Sequence, residues 1–216
     1  MSQNLFEEGD LCALHRALAG AGLVHGRSGN ASMCDDDRGK ILIKASGVRC
    51  GEVTPGDLVL IDARTFEVLA GPPKPSTDCF LHAAVYNAVS DARFVVHTHS
   101  KDASTFSALG RTLVPILTGS AEIFGDGVPC IPFSADRAQL SRFIEGVAGR
   151  APKALLLERH GTLCWGSTWT QAIEVAELLE WSASVAMAAA QLGIAPMSAS
   201  QIEEYAGWYQ RNYPEP

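Results

Sequence analysis

A short apolar run that ends in two histidines constrains this chain more than any other feature of its sequence. Residues 94–96 read Phe-Val-Val and lead directly into His97-Thr98-His99. The apolar run predicts a buried β-strand, and because side chains alternate along a strand, His97 and His99 project from one face. Two imidazoles on one face suit a divalent metal such as zinc, which then needs a third ligand from elsewhere. The spacing alone is also typical of two solvated histidines at a strand end.

A second apolar run supplies a candidate for that third ligand. Residues 154–157 read Ala-Leu-Leu-Leu and are followed by Glu158-Arg159-His160-Gly161. The pattern again predicts a buried strand with an imidazole at its exit. We therefore expect His160 to join His97 and His99.

Two segments rich in small residues indicate an anion site. Residues 22–32 form a glycine-rich stretch that we interpret as a loop, and residues 45–47 (Ala-Ser-Gly) follow a predicted strand at 41–44. Glycine lets backbone N–H groups approach an anion closely, and Asn and Ser add further donors. Lys44 adds a positive charge at the entrance of the second turn. Each segment alone is equally typical of a plain turn.

A third segment points to the same chemistry. Residues 71–78 read Gly-Pro-Pro-Lys-Pro-Ser-Thr-Asp and precede a helix predicted to run to about Val89, with Ser76 or Thr77 as its cap. The N-terminus of a helix favours phosphate. Alternatively, Ser76 and Asp78 only cap the helix. His82 lies one turn beyond Asp78, where it either orients that carboxylate or simply packs.

The remaining pattern predicts alternating helices and strands in a single domain, residues 1–216, without a linker or internal repeat. Further helices are predicted at 4–19, 101–109, 135–147, 168–192 and from 198, and further strands at 58–61, 66–69, 113–117 and 128–133. His15 lies beside the leucine stripe of the first helix, so we interpret it as a surface or packing residue. The last helix carries Tyr205, Trp208, Tyr209 and Tyr213.

Composition excludes several classes of protein. The 216 residues are 47% hydrophobic, which allows a full core, and carry a formal net charge of -7, which argues against nucleic acid as a partner. The six cysteines are scattered without a C-x-x-C pair, as in reduced cytosolic proteins. A signal-peptide pattern and a membrane-spanning apolar run are both lacking. These features predict a cytoplasmic protein without membrane partners.

Taken together, the motifs resemble the class II aldolase/adducin family. The matching segments are GRSGNAS at 26–32, IKASGV at 43–48, KPSTD at 74–78, VVHTHS at 95–100 and LLLERHG at 155–161. The L-fuculose-1-phosphate aldolase and L-ribulose-5-phosphate 4-epimerase branches carry the most similar motifs. The resemblance covers nearly the whole chain. It implies an α/β fold with a central, mainly antiparallel sheet flanked by helices, and a C4 homotetramer with active sites between neighbouring subunits.

The resemblance also implies roles for individual residues. His97, His99 and His160 are implied ligands of zinc or another divalent transition metal, and Asp78 is the implied acid/base. The implied binding residues for the substrate phosphate are Gly29, Asn30, Lys44, Ser46, Gly47, Ser76 and Thr77. Aldolases of the family carry glutamate at the position of Asp78, whereas the epimerases carry aspartate. A tyrosine acid of the aldolase branch has no match between Val114 and Gly125, so Glu122 is a second acid/base candidate.

These roles favour a zinc-dependent aldolase that cleaves a phosphorylated ketose by a retro-aldol reaction through a metal-stabilised enediolate. An L-ribulose-5-phosphate 4-epimerase uses the same cleavage and is the first alternative. A sugar-acid phosphate decarboxylase, a methylthioribulose-phosphate dehydratase and a non-catalytic adducin-like module are the others. Arg27 is interpreted either as a contact to a substrate carboxylate or as a surface residue.

Overall fold

Helices surround a single sheet in the computed structural model, which describes residues 6–212. The helices are α1 (Glu8–Gly20), α2 (Cys79–Ala88), α3 (Lys101–Ser107), α4 (Thr118–Phe124), α5 (Arg137–Ala148), α6 (Trp169–Gln191) and α7 (Ala199–Asn212). The strands are β1 (Asn30–Cys34), β2 (Lys40–Lys44), β3 (Leu58–Asp62), β4 (Val68–Ala70), β5 (Phe94–Thr98), β6 (Cys130–Ile131), β7 (Ala154–Leu157) and β8 (Gly161–Gly166). Tyr213, which sequence analysis assigned to the last helix, lies outside the described residues.

The strands lie in the order β4-β3-β2-β1-β5-β8-β7-β6. Neighbouring strands are antiparallel from β4 to β7, and β6 pairs with β7 in parallel. The predicted α/β class with a mainly antiparallel central sheet is therefore confirmed. The strand that carries His97, β5, lies at the centre between β1 and β8, where both of its edges are paired.

Helices cover both faces of the sheet. Side chains of α1, α3 and α6 form one core with Phe94 and Val96 of β5. Side chains of α2 and α5 form a second core with Val95 of the same strand. Because His97 follows the alternation of Val95, its side chain lies on the face covered by α2. Within residues 6–212, no helix is long and apolar enough to cross a membrane.

One strand predicted near the sheet edge is absent, and another is shorter than predicted. Residues 113–117 do not form a strand, and only Leu113 makes an isolated bridge, to Val128. Pro115 lacks the N–H group that a ladder requires, which explains the interruption. The segment after it, for which no element was predicted, forms helix α4, and the strand expected at 128–133 shortens to β6.

Two central strands were not predicted. Residues 30–32 belong to β1 rather than to the glycine-rich loop, and β8 begins directly after His160. At the start of β8, a Cβ atom on Gly161 would lie 2.3 Å from the backbone oxygen of Thr98. Only glycine therefore permits the close approach that brings His160 to the end of β5.

His15 packs inside the protein rather than on its surface. Its side chain is fully buried in α1, where Nδ1 donates to the carbonyl of Leu11 (2.7 Å). Its Nε2 accepts the backbone N–H of Ala31 (3.1 Å). Both ring nitrogens are therefore used, and the histidine ties α1 to the strand that carries Asn30.

Candidate active site

Three histidines converge at one end of the central strands. The ring centres of His97 and His99 lie 4.7 Å apart, those of His97 and His160 5.1 Å, and those of His99 and His160 4.8 Å. Their candidate ligand nitrogens all lie within 4.8 Å of one another. Strand β5 supplies His97, the residue after its end is His99, and His160 occupies the turn between β7 and β8. The predicted grouping of three imidazoles is thus present in the fold.

Hydrogen bonds determine which nitrogen of His97 faces the shared centre. Nδ1 of His97 lies 2.8 Å from the carbonyl oxygen of Thr162, so it must carry the proton and donate it. Nε2 is consequently unprotonated, and it faces Nε2 of His99 at 2.9 Å. A carbonyl that fixes the tautomer in this way is the usual companion of a metal-ligating histidine. The sequence offered no signal for Thr162, because its backbone rather than its side chain makes the contact.

The donor set fits a divalent transition metal. Burial lowers the pKa of His97 to about 4, and burial also lowers the pKa values of His99 and His160. The rings are therefore neutral near pH 7, as metal binding requires. Nε2 of His160 is buried without a hydrogen-bond partner among residues 6–212. His97, His99 and His160 would therefore hold such a metal through nitrogens that lie within 4.8 Å of one another.

A carboxylate lies beside the histidines. Asp78 occupies the N-cap position of α2, yet its side chain makes no capping hydrogen bond, and the expected caps Ser76 and Thr77 precede this position. Asp78 Oδ2 instead accepts a hydrogen bond from Nδ2 of Asn30 (2.9 Å). Asn30 in turn is paired with His97 across β1 and β5. The carboxylate is therefore directed toward the histidine centre rather than used to stabilise its own helix.

The electrostatic surroundings keep this carboxylate ionised. Burial alone would raise the pKa of Asp78, but attraction to His97 and His82 and the hydrogen bond from Asn30 outweigh that effect and lower it. An ionised carboxylate next to a potential metal centre can accept a proton from a bound hydroxyl group.

His82 contacts the site through Asn30. It is fully buried in α2, and its Nε2 lies 2.5 Å from Oδ1 of Asn30. Its Nδ1 lies 2.7 Å from Oγ of Ser32, which in turn lies 2.8 Å from the hydroxyl of Tyr86. Asn30 therefore links His82 to Asp78 by hydrogen bonds, as required if His82 orients that carboxylate. Ser32 and Tyr86 were missed, although a strand places residue 32 on the face of Asn30 and a helix places residue 86 one turn after His82.

The segments predicted to bind phosphate meet at the same end of the sheet. The N–H of Ser46 donates to the carbonyl of Lys74 (2.9 Å), and the N–H of Ser76 donates to the carbonyl of Lys44 (2.9 Å). These bonds join the turn after β2 to the chain entering α2, two residues before Asp78. Ser46 and Thr77 are exposed, whereas Ser76 is buried. The two backbone N–H groups of Ser46 and Ser76 are already used, so an anion must be bound by other donors.

The two predicted glycines differ in their surroundings. Both have positive φ, 74° at Gly29 and 85° at Gly47. A Cβ at Gly29 would lie 2.5 Å from Val24 and 3.0 Å from the backbone oxygen of His97. A Cβ at Gly47 would meet nothing within 4 Å. Packing therefore requires a glycine at Gly29, while Gly47 borders open space that a ligand can enter.

Lys44 is buried at the end of β2. Its Nζ donates to the carbonyl of Val48 (2.9 Å), and burial lowers its pKa, opposed by attraction to Cys50 and Asp78. The ammonium group thus lies inside the turn that follows the strand. It contributes positive charge to the predicted anion site without being fully exposed to solvent.

Two candidates lie outside this cluster. Glu122 lies on α4 and lines a separate pocket with Thr118, Glu204 and Tyr205, so the geometry of one chain does not bring it to the three histidines. Arg27 is exposed, as expected for a surface residue. Phe133, which no sequence motif singled out, stacks its ring on that of His160 with 3.9 Å between ring centres.

Comparisons with known proteins identify similar sequences and folds. The family model described as Class II Aldolase and Adducin N-terminal domain matches residues 9–187. The chain is 30% identical to 5-deoxy-D-ribulose 1-phosphate aldolase from Bacillus thuringiensis serovar kurstaki, over 83% of each chain. It is 29% identical to L-ribulose-5-phosphate 4-epimerase UlaF from Salmonella paratyphi C, over 85% of this chain and 84% of the relative. A crystal structure of YgbL, a putative aldolase/epimerase/decarboxylase from Klebsiella pneumoniae, superposes with a TM-score of 0.82 at 25% identity, covering 92% and 96% of the two chains.

Proposed function

Because this chain belongs to the class II aldolase and adducin family, we propose that it is a zinc-dependent aldolase that cleaves a phosphorylated ketose by a retro-aldol reaction. The observation that carries the proposal is the convergence of three neutral imidazoles next to an ionised carboxylate. A non-catalytic module has no need of such a combination.

The three histidines are the proposed metal ligands. His97, His99 and His160 would hold a divalent transition metal, with zinc as the proposed ion. When bound, the metal acts as a Lewis acid and stabilises the negative charge that develops when the bond beside the ketose carbonyl breaks.

Asp78 is the proposed proton-transfer group. It accepts the proton of the hydroxyl on the carbon that becomes the aldehyde, while the electrons of the breaking C–C bond pass to the former ketone. The same proton is then returned to the carbon of the resulting enediolate, which leaves a shorter ketose phosphate and an aldehyde. General acid–base catalysis of this kind contributes a factor of about 10² to 10⁴.

The substrate phosphate is anchored by the segments that meet at the end of β2. Lys44 supplies positive charge, and Gly47, Ser76 and Thr77 border the site together with Gly29, Asn30 and Ser46. Anchoring the phosphate fixes the distance between the scissile bond and Asp78, which lowers the entropic cost of reaching the transition state. We propose a ketose 1-phosphate, as in the name of the aldolase relative.

A 4-epimerase is the second candidate. The residue at position 78 is aspartate, as in the epimerase branch, and an epimerase is among the relatives. This reaction shares the cleavage step but requires the aldehyde to rotate and rejoin before it leaves.

We further propose a C4 homotetramer with active sites between neighbouring subunits. Trp181 on α6 (49% exposed) and Leu192 directly after that helix (76% exposed) support this, because apolar side chains of that size gain from burial against another subunit. Light scattering should give about four times the chain mass of 23.0 kDa.

A screen of phosphorylated ketoses tests the reaction. Each compound is incubated with the zinc-loaded protein, and the three-carbon ketose phosphate, the aldehyde and the epimer are quantified separately. Release of aldehyde supports the aldolase, whereas an epimer without free aldehyde supports the second candidate. Equal turnover of dephosphorylated ketoses would contradict the phosphate site.

A further inference from the structure

A chain of hydrogen bonds runs from the interior of the protein to Asp78. It links Tyr86, Ser32, His82 and Asn30 to that carboxylate, with successive separations of 2.8, 2.7, 2.5 and 2.9 Å. Ser32, His82 and Tyr86 are buried, and none of them belongs to the proposed metal or phosphate sites. The proposed function therefore does not yet explain this chain of hydrogen bonds.

Chemistry fixes the direction of every bond in this chain. An ionised carboxylate only accepts, so the amide nitrogen of Asn30 faces Asp78 and its oxygen faces His82. That oxygen also only accepts, so Nε2 of His82 must carry the proton. Burial lowers the pKa of His82 to about 3, so the neutral ring has no second proton for Nδ1. The Ser32 hydroxyl therefore donates to Nδ1 and accepts from Tyr86.

We propose that His82, held by Ser32 and Tyr86, is a positioning residue that keeps the Asn30 amide in one orientation throughout the reaction. This inference rests on the proposed role of Asp78 as the proton-transfer group. In the fixed orientation, Asn30 presents its N–H groups to the site: one binds Asp78, and the other remains available to an anionic substrate.

The orientation of the Asn30 amide needs to be fixed when Asp78 takes up a proton. The carboxylic acid becomes a donor, and a rotated Asn30 amide could then accept from it with its oxygen. Rotation would break the bond from His82 and set the Asn30 amino group against Nε2–H, since both are donors. His82 thus opposes the rotation, and the unrotated amide continues to favour the ionised carboxylate, which promotes return of the proton to the substrate.

Two substitutions of His82 separate orientation from simple packing. In His82→Gln, the side-chain amide nitrogen reaches about as far as Nε2 and can still donate to Asn30. In His82→Asn, the shorter amide reaches only the position of Nδ1, so it keeps Ser32 but loses Asn30. His82→Asn should lower kcat about tenfold or more at unchanged metal content, and His82→Gln should restore most of that loss. Asn87, which is exposed on the same helix, supplies the control, and Asn87→Ala should leave kcat unchanged.

A measurement on the unsubstituted protein keeps the inference testable if a variant fails to fold. Long-range ¹H–¹⁵N spectra distinguish protonated from unprotonated ring nitrogens, and His82 should show a proton on Nε2 alone. A proton on Nδ1, equal loss of kcat in both variants, or no loss in either would overturn the inference. If Nε2 is protonated but no ketose phosphate reacts, the proposed function fails while the orientation of Asn30 stands.

Discussion

His97 and His82 are both fully buried, but the partners of their ring nitrogens differ. His97 has one nitrogen bound to the carbonyl of Thr162, while the other faces only His99 in a shared centre. His82 has both nitrogens occupied, by Ser32 and Asn30. Burial lowers the pKa values of both, to about 4 and about 3.

The difference lies in the partner of the second nitrogen and not in burial or charge. Leaving a buried polar atom without a partner costs free energy, so proteins rarely retain one without use. The converging nitrogens of His97, His99 and His160 are arranged for an external partner, and Nε2 of His160 is buried without one among residues 6–212. His82 instead contacts Asn30 and Ser32 with its two nitrogens. We propose that the first kind of histidine binds a metal and that the second kind positions a neighbouring side chain.

Removing a histidine of the first kind should have the largest effect. His97→Ala leaves two imidazoles, which bind zinc far less tightly than three, so metal and activity should be lost together. Metal content by mass spectrometry and kcat on the same samples check this. His25→Ala removes an exposed histidine and should change neither quantity. Stoichiometric metal in His97→Ala would show that His97 is not needed as a metal ligand.

Asp78→Asn tests the group that lies between the two kinds of histidine. It keeps the volume and removes the proton acceptor, so kcat should fall by about 10² or more while folding and metal content persist. Asp136 is the matched control, since its carboxylate caps α5 by accepting from Ala138 (2.9 Å) and Gln139 (3.1 Å). Asp136→Ala should cost about 1 kcal/mol of stability and leave kcat unchanged. Full activity in Asp78→Asn would remove Asp78 from the chemistry, and Glu122 would become the next candidate.

Ser76→Ala should have a smaller effect, confined to binding. Among residues 6–212, its hydroxyl accepts only a long contact from the N–H of Asp78 (3.4 Å), so its proton is available to an anion. Loss of one hydrogen bond to a charged group costs about 1–3 kcal/mol, and KM should rise accordingly with little change in kcat. The comparison of phosphorylated and dephosphorylated substrates isolates the phosphate contact. A fall in kcat at constant KM would place Ser76 elsewhere in the mechanism.

The smallest effect concerns stability and pH. Burial lowers the pKa of His15 to about 4, and this effect outweighs the hydrogen bond to the carbonyl of Leu11, which acts in the opposite direction. Between pH 6.5 and pH 4 the unfolded chain therefore binds more protons than the folded protein, so the free energy of unfolding falls as the pH falls. His15 alone should contribute about 2 kcal/mol of this loss between pH 7 and pH 5. Denaturant titrations should show a flatter pH dependence in His15→Leu, and an equal slope would contradict the assignment.

The local sequence pattern was sufficient to predict a helix or strand where that element is strongly apolar or strongly periodic. The strand before His97, the strand before His160 and the helices at 135–147 and 168–192 were predicted near their observed positions. The pattern failed at 22–32, where glycines obscured the start of β1, and it gave no element at 118–124, where the structure has α4. In both places packing against neighbouring elements, not local preference, determines the structure.

The residue types of the candidate site were predictable from the sequence, but the hydrogen bonds between them were not. Histidines at strand ends and an aspartate before a helix are visible in the sequence. The carbonyl of Thr162 and the link from Ser32 to Tyr86 depend on which strands and helices become neighbours. Hydrogen-bond partners that lie 50 residues or more apart, such as Ser32 and His82, leave no local signal.

Reconstitution of the metal-free protein tests the central claim most directly. After removal of metal by a chelator, zinc is added stepwise and cleavage of the preferred ketose phosphate is followed at each step. We predict negligible activity without metal and a linear rise that ends at one zinc per chain, with no rise in His160→Ala. Full activity in the metal-free protein, or a rise that is unaffected by loss of His160, would contradict the three-histidine centre as the site of the reaction.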